Sequence, residues 1–119
     1  MAIHNELGKK GEQLAVEFLQ KNGYKILDRN WRYKKAEVDI IAQKNDILAV
    51  VEVKTRSSNY FGNPQDFVNQ KKIQLLVEAI NEYVISKDLD VEVRFDIVAI
   101  LSNKNSFEIE HLEDAFLYF

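Results

Sequence analysis

With 119 residues and no cysteine, the chain has the length of one domain with a modest core, and it can form neither disulfides nor thiolate metal sites. No apolar run approaches the roughly 18 residues of a membrane span, and the opening MAIHNELGKKGEQ lacks the apolar stretch of a signal peptide, so a soluble, cytoplasmic protein with no membrane partner is expected. The net charge of −3 argues against a general nucleic-acid coat, yet residues 1–60 carry 11 Lys/Arg against 8 Asp/Glu while residues 61–119 carry 5 against 11. The first half alone has the sign that phosphates attract.

Apolar or small residues recur at Leu7, Gly11, Leu14, Ala15, Phe18 and Leu19, the rhythm of an amphipathic helix. Asn5 is a candidate cap, and Asn22-Gly23 a left-handed terminator. Weak alternation from Tyr24 to Arg32 predicts a first strand, at an edge. Glu37–Gln43 and Ile47–Lys54 are short and β-branched, separated by Lys44-Asn45-Asp46, which predicts a hairpin. Thr55–Asn63 has the composition of a loop. Asn63-Pro64 then predicts a helix start, with the helix running to about Ser86 and Phe67, Val68, Leu75, Leu76, Ala79, Ile80 and Tyr83 on its buried side. Val91–Leu101 becomes continuously apolar and so predicts an interior strand. Ser106–Ile109 reads as a further short strand, and Leu112–Phe116 as a helical turn. The order predicts one α/β domain over residues 1–119, a mixed sheet with a helix on either face. The long connection after Lys54 suits a crossover between parallel strands.

The stretch EVDIIAQKNDILAVVEVKTR, residues 37–56, places charge inside two apolar runs. Side chains alternate along a strand, so Glu52 and Lys54 share a face, as do Glu37 and Asp39. A two-residue turn at Asn45-Asp46 sets Asp39 opposite Glu52 and Glu37 opposite Lys54. Two facing carboxylates among Val, Ile and Leu repel, and a divalent cation between them offsets that cost. Two acids and a lysine on one ledge match the needs of metal-assisted phosphodiester cleavage. Simple ion pairs at strand ends, including Glu37 with Lys54, account for the same residues without any catalysis.

The chain also resembles the YraN-type family of small bacterial proteins, whose relatives belong to the restriction-endonuclease-like (PD-(D/E)xK) nuclease superfamily. The resemblance is carried by Gly8-Lys9-Lys10-Gly11-Glu12 with Ala15 and Phe18-Leu19, by Gly23-Tyr24-Lys25-Ile26-Leu27 and Arg29-Asn30, and by Glu37-Val38-Asp39-Ile40-Ile41-Ala42. It continues with Val51-Glu52-Val53-Lys54-Thr55-Arg56, Phe61-Gly62 with Pro64, and Arg94-Phe95-Asp96-Ile97-Val98-Ala99. The gap from Asp39 to Glu52 is similar to that of archaeal Holliday-junction resolvases. Val38 stands where the signature's proline would be, and Ala36 where the family commonly has glycine.

The resemblance implies a restriction-endonuclease-like mixed sheet flanked by helices on both faces, and a nuclease dependent on Mg²⁺ or Mn²⁺. Asp39, Glu52 and Lys54 are then its signature residues, with Glu12 beside the metal and the Val53 carbonyl as a further ligand. DNA is the implied partner, in branched or recombination intermediates, and a homodimer is implied because junction-cutting relatives are often dimers. The alternative is a non-catalytic nucleic-acid-binding or partner-recruiting module that keeps the fold. Arg56, Arg29 and Arg32 flank the expected site and are candidates for clamping phosphates, with Lys71 and Lys72 on the second helix. Trp31, Tyr33, Tyr60 and Phe61 are candidates for stacking on bases, though packing suits Trp31 better. His4 and His111 have no helix-spaced partner. The acidic tail Glu108, Glu110, Glu113 and Asp114 is expected to be solvated surface.

Overall fold

Among the described residues seven elements carry the periodicities. The computed structural model describes residues 2–56, 69–103 and 106–115, with side chains in the first helix from Leu7 onward. Helix α1 (Ala2–Lys21) begins earlier than its apolar stripe, so Asn5 lies within it instead of capping it. It buries Ala15, Val16 and Leu19. It ends as Asn22-Gly23 predicts: Gly23 takes φ 91°, and its N–H and that of Tyr24 bond back to the carbonyls of Gln20 and Leu19. Those bonds satisfy carbonyls that the last turn otherwise leaves without a partner.

Strands β1 (Lys25–Tyr33), β2 (Ala36–Lys44) and β3 (Ile47–Arg56) form an antiparallel meander. The β2–β3 turn is the two-residue Asn45-Asp46, with Lys44 paired to Ile47 and Asn45 at φ 56°. Helix α2 (Gln70–Ser86) has its N-cap at Asn69, whose side chain accepts the Lys72 N–H; the expected start at Asn63-Pro64 lies outside the described residues. Residues 57–68, including Tyr60, Phe61, Phe67 and Val68, lie outside the described residues. Strand β4 (Glu92–Ser102) runs parallel to β3, making β3–α2–β4 the expected crossover. Strand β5 (Phe107–Leu112) closes the sheet antiparallel to β4. Leu112 stays in the strand, and residues 113–115 form a turn where a helical turn was expected.

The sheet order is β1-β2-β3-β4-β5, so the fold is α/β, a five-stranded mixed sheet with, among the described residues, two helices. Alternation along β3 sorts the core into two layers. Leu48 and Val50 pack with Leu76, Ile80 and Tyr83 of α2, while Ala49 and Val51 pack with Ala15, Val16 and Leu19 of α1. One helix therefore lies on each face, and each covers part of it. Trp31 belongs to the α2-side layer, edge-on to Tyr83 and stacked on Tyr33. Among the described residues no helix is long and apolar enough to cross a membrane.

One buried charge ties the α1 side together. Asp96 has no exposed surface, and its carboxylate accepts two bonds from Arg94 (2.8 and 2.9 Å), one from the Asp114 N–H (3.0 Å), and meets His111 Nε2 at 2.8 Å. Arg94 also reaches the Tyr24 hydroxyl. Burial alone pushes the Asp96 carboxyl upward, but His111, Arg94 and the Asp114 amide more than offset it and hold the group below the usual carboxylate range. The network binds β4, β5 and the following turn to the entrance of β1. Replacing Asp96 by Ala strands a guanidinium and a ring nitrogen, and should cost about 3–5 kcal/mol in urea unfolding. A loss under 1 kcal/mol would contradict this role.

Candidate functional site

The ladder between β2 and β3 runs from Lys44↔Ile47 to Ile40↔Val51 and then stops. Beyond that pair the Val53 N–H is not given to a β2 carbonyl; it donates to Asp39 Oδ2 at 2.8 Å. Alternation along β2 breaks at the same place. Ile40 and Ala42 face α1, yet Val38 joins Ile41 in the α2-side layer. Across the β1–β2 ladder, the residue between Arg29↔Ile40 and Trp31↔Val38 is Asn30, in the left-handed region at φ 52°. Both strands therefore kink at the level of Asp39, and the sheet opens between β2 and β3.

The opening makes two clefts that meet at Asp39. On the α1 side, about 560 Å³ is lined by Leu7, Gly8, Lys9, Glu12, Asn30, Asp39, Val53, Lys54, Thr55 and Arg56. On the α2 side, about 260 Å³ is lined by Lys35, Ala36, Glu37, Asp39, Glu52, Lys72, Leu75 and Leu76. Asp39 and Glu52 thus share a cleft, as the expected register requires. Lys54 lines the neighbouring cleft, with its Nζ 3.8 Å from Glu52 Oε2. Glu37 does not pair with Lys54. The ladder has ended before that pair, and Glu37 meets Arg32 at 3.3 Å instead.

The remaining expected residues divide. Glu12 is brought to the site: Arg29 (3.1 Å) and Asn30 (3.0 Å) both donate to its Oε1. Arg29 is thereby committed to Glu12 and not presented alone to a phosphate. Arg56 lines the α1-side cleft. Arg32 lies at the exposed end of β1, and Lys71 is exposed on α2. Lys72 is the surprise, since its Nζ lies 2.6 Å from Glu52 Oε2. Asn30 and Asn69 also escaped sequence reasoning. The available signal was the residue type, since asparagine tolerates left-handed backbone and caps helices.

Glu12 owes its position to Gly11. A methyl group there would stand 2.0 Å from Thr55 Oγ1 and 3.1 Å from both Thr55 Cβ and Cγ2. The absent side chain lets α1 cross the end of β3 closely enough to bring Glu12 toward Asp39.

The electrostatics concentrate on Asp39. Burial first, then the Glu52 carboxylate, pushes its pKa up to about 7, and Glu12 adds to the rise; the Val53 N–H and Lys72 oppose it. Among the described residues no three acidic or histidine side chains converge closely enough to hold a metal by themselves. The donor chemistry fits a hard cation held by Asp39 and Glu52, with the Val53 carbonyl and otherwise water, since Mg²⁺ commonly keeps several waters and takes only one or two carboxylates.

Two outcomes follow for stability. Gly11→Ala should destabilise the fold by about 2 kcal/mol despite alanine's better helix propensity, with Thr55→Ala in the same chain recovering part of that loss in a double-mutant cycle. Because the folded pKa of Asp39 is raised, the protein is most stable, as far as this group is concerned, below about pH 4, and loses that stability as pH rises through about 7. Asp39→Asn keeps an acceptor for Val53. It should therefore stabilise by about 1–3 kcal/mol at pH 8 and by far less at pH 5 in metal-free buffer; equal effects at both pH values would contradict the shift.

Comparison with known proteins places the chain. Residues 11–100 match the model of the uncharacterised protein family UPF0102. A UPF0102 protein of Flavobacterium psychrophilum is 66% identical over 119 residues, the full length of both chains. Others, from Parabacteroides distasonis and Phocaeicola vulgatus, are 47% and 46% identical over 116 residues, covering 98% of this chain and 96% of theirs. These names state a family and no activity. The chain belongs to the uncharacterised protein family UPF0102, the family of the YraN-type resemblance.

Proposed function

We propose that this protein is a Mg²⁺- or Mn²⁺-dependent nuclease of the restriction-endonuclease-like superfamily, hydrolysing phosphodiester bonds in DNA. The observation that carries the reading is the convergence of Asp39 and Glu52 on one cleft where the β2–β3 ladder opens. A buried Glu52 and a half-buried Asp39 lining one cleft need counter-charge, which a divalent cation would supply. When bound, such a cation polarises the phosphorus centre and lowers the pKa of an attacking water.

The chain's own residues supply binding and orientation. Asp39 and Glu52 hold the cation, with the Val53 carbonyl. The Val53 N–H keeps the Asp39 carboxylate aimed, since it holds Oδ2 and leaves Oδ1 to other partners. Lys54, lining the α1-side cleft with its Nζ 3.8 Å from Glu52 Oε2, positions water or a phosphate oxygen. Lys9, Lys54 and Arg56 give the α1-side cleft a cationic wall, suited to gathering a phosphate backbone. Glu12, steadied by Arg29 and Asn30, provides a second acidic position facing Asp39. The exposed Glu108 and Glu110 on β5 repel a duplex and favour its approach from elsewhere. The resemblance to junction resolvases adds branched or recombination intermediates as substrates and a homodimer as the working form.

A non-catalytic nucleic-acid-binding module that keeps the fold is the second reading, favoured by the cations already seated on Glu52 and Glu12. Activity separates the two. With Mn²⁺ and a panel of junction, flap and single-stranded DNAs, cleavage should appear on at least one substrate and fall at least about a hundredfold in Lys54→Ala and in Asp39→Asn. Cleavage that survives both substitutions would remove the assignment.

A further inference from the structure

We propose that Lys72 is a built-in counter-ion of this site: its ammonium neutralises Glu52 while no divalent cation is bound, and passes to a phosphate group when one is. The inference rests on the reading of Asp39 and Glu52 as cation ligands and extends it to a residue outside the signature.

Three observations carry it. The first is proximity. Lys72 Nζ lies 2.6 Å from Glu52 Oε2, much closer than Lys54 Nζ at 3.8 Å. An ammonium and a divalent cation sharing one carboxylate oxygen repel strongly, so one must leave. The second is asymmetry of burial. The Glu52 side chain is 9% exposed and that of Lys72 35%, so the carboxylate is held in place while the lysine, on a flexible four-carbon stem, can swing into water.

The third is the placement of Lys72 in its own helix. The first turn of α2 contains no acidic residue and carries Lys71 and Lys72, at the end where the backbone dipole favours anions. The Asn69 side chain accepts the Lys72 N–H at 2.8 Å and so sets the start of the turn. Helix stability alone would put an acid here. A lysine at this point breaks the local preference, and such conflicts mark functional positions. The missing acid is Glu52, supplied from β3 across the cleft.

The consequence is coupling. Displacing Lys72 lowers the affinity of the free protein for a divalent cation, while the released ammonium gains a partner when a phosphodiester enters the cleft. Cation and nucleic acid therefore assist each other's binding, each by the same factor.

The full-length chain tests this through binding, without reliance on cleavage. Mn²⁺ is titrated by calorimetry, with and without a short single-stranded oligonucleotide, into wild type, Lys72→Met, Lys72→Arg and Asp39→Asn. Lys72→Met should bind Mn²⁺ about tenfold more tightly than wild type, and its Mn²⁺ affinity should no longer rise when the oligonucleotide is added. Lys72→Arg, which keeps the charge, should stay near wild type on both counts. If Asp39→Asn abolishes Mn²⁺ binding but Lys72→Met does not strengthen it, Lys72 is an ordinary structural ion pair and the inference is overturned while the metal reading stands. If Asp39→Asn leaves Mn²⁺ binding unchanged, or wild type and Lys72→Met both fail to bind, the metal reading fails and the inference with it.

Discussion

The site depends on a substitution in the sheet's hydrogen-bonding scheme: a side-chain oxygen of Asp39 takes the Val53 N–H that a neighbouring strand would otherwise accept. A backbone donor at this depth must have a partner, so β2 and β3 can part only because the carboxylate takes over that bond. The parting opens clefts on both sides of the sheet and turns Val38 toward α2. It also leaves Asp39 between Glu52 on one side and Glu12 on the other. Without that bond the strands would zip onward, and neither cleft would exist in its present form.

Around this opening the fold spends charge with care. Among the described residues no buried side-chain nitrogen or oxygen lacks a hydrogen-bond partner, and each acid of the site meets a cation or a donor. Glu12 is held by Arg29 and Asn30, Glu52 by Lys72, and Asp39 by the Val53 amide. For Asp39, burial and then the Glu52 carboxylate outweigh the Val53 amide and raise its pKa to about 7. The Asp96 network, by contrast, is satisfied on every side and lies midway along β4, where it anchors β5 and the entrance of β1. Two clusters of similar composition thus do different work. One is closed and structural, the other open to solvent along two clefts.

Much of this was legible in the sequence because alternation and turn chemistry agree. Asn45-Asp46 set the β2–β3 register, and the register put Asp39 beside Glu52. Gly23 marked the end of α1, and the apolar run before Leu101 marked β4 as interior. What periodicity could not reveal is where it stops. Period-two reasoning extends a ladder indefinitely, so it paired Glu37 with Lys54 past the point where the strands separate. The start of α2 is hidden from periodicity for a related reason. Asn69 shows itself as the cap only through the bond its side chain accepts from the Lys72 amide. His111 looks isolated in the sequence because its partner Asp96 is brought close through β4–β5 pairing and not through sequence spacing. The UPF0102 relatives confirm the family named from these motifs, while what that family does rests on the site.

The central claim is that a divalent cation lodges where β2 and β3 part. Anomalous diffraction from crystals of the full chain grown with Mn²⁺ measures this directly. The account predicts an ordered ion within about 2.0–2.3 Å of a carboxylate oxygen from both Asp39 and Glu52. Well-ordered carboxylates with no anomalous peak between them at millimolar Mn²⁺, or a peak bound only elsewhere on the surface, would contradict it.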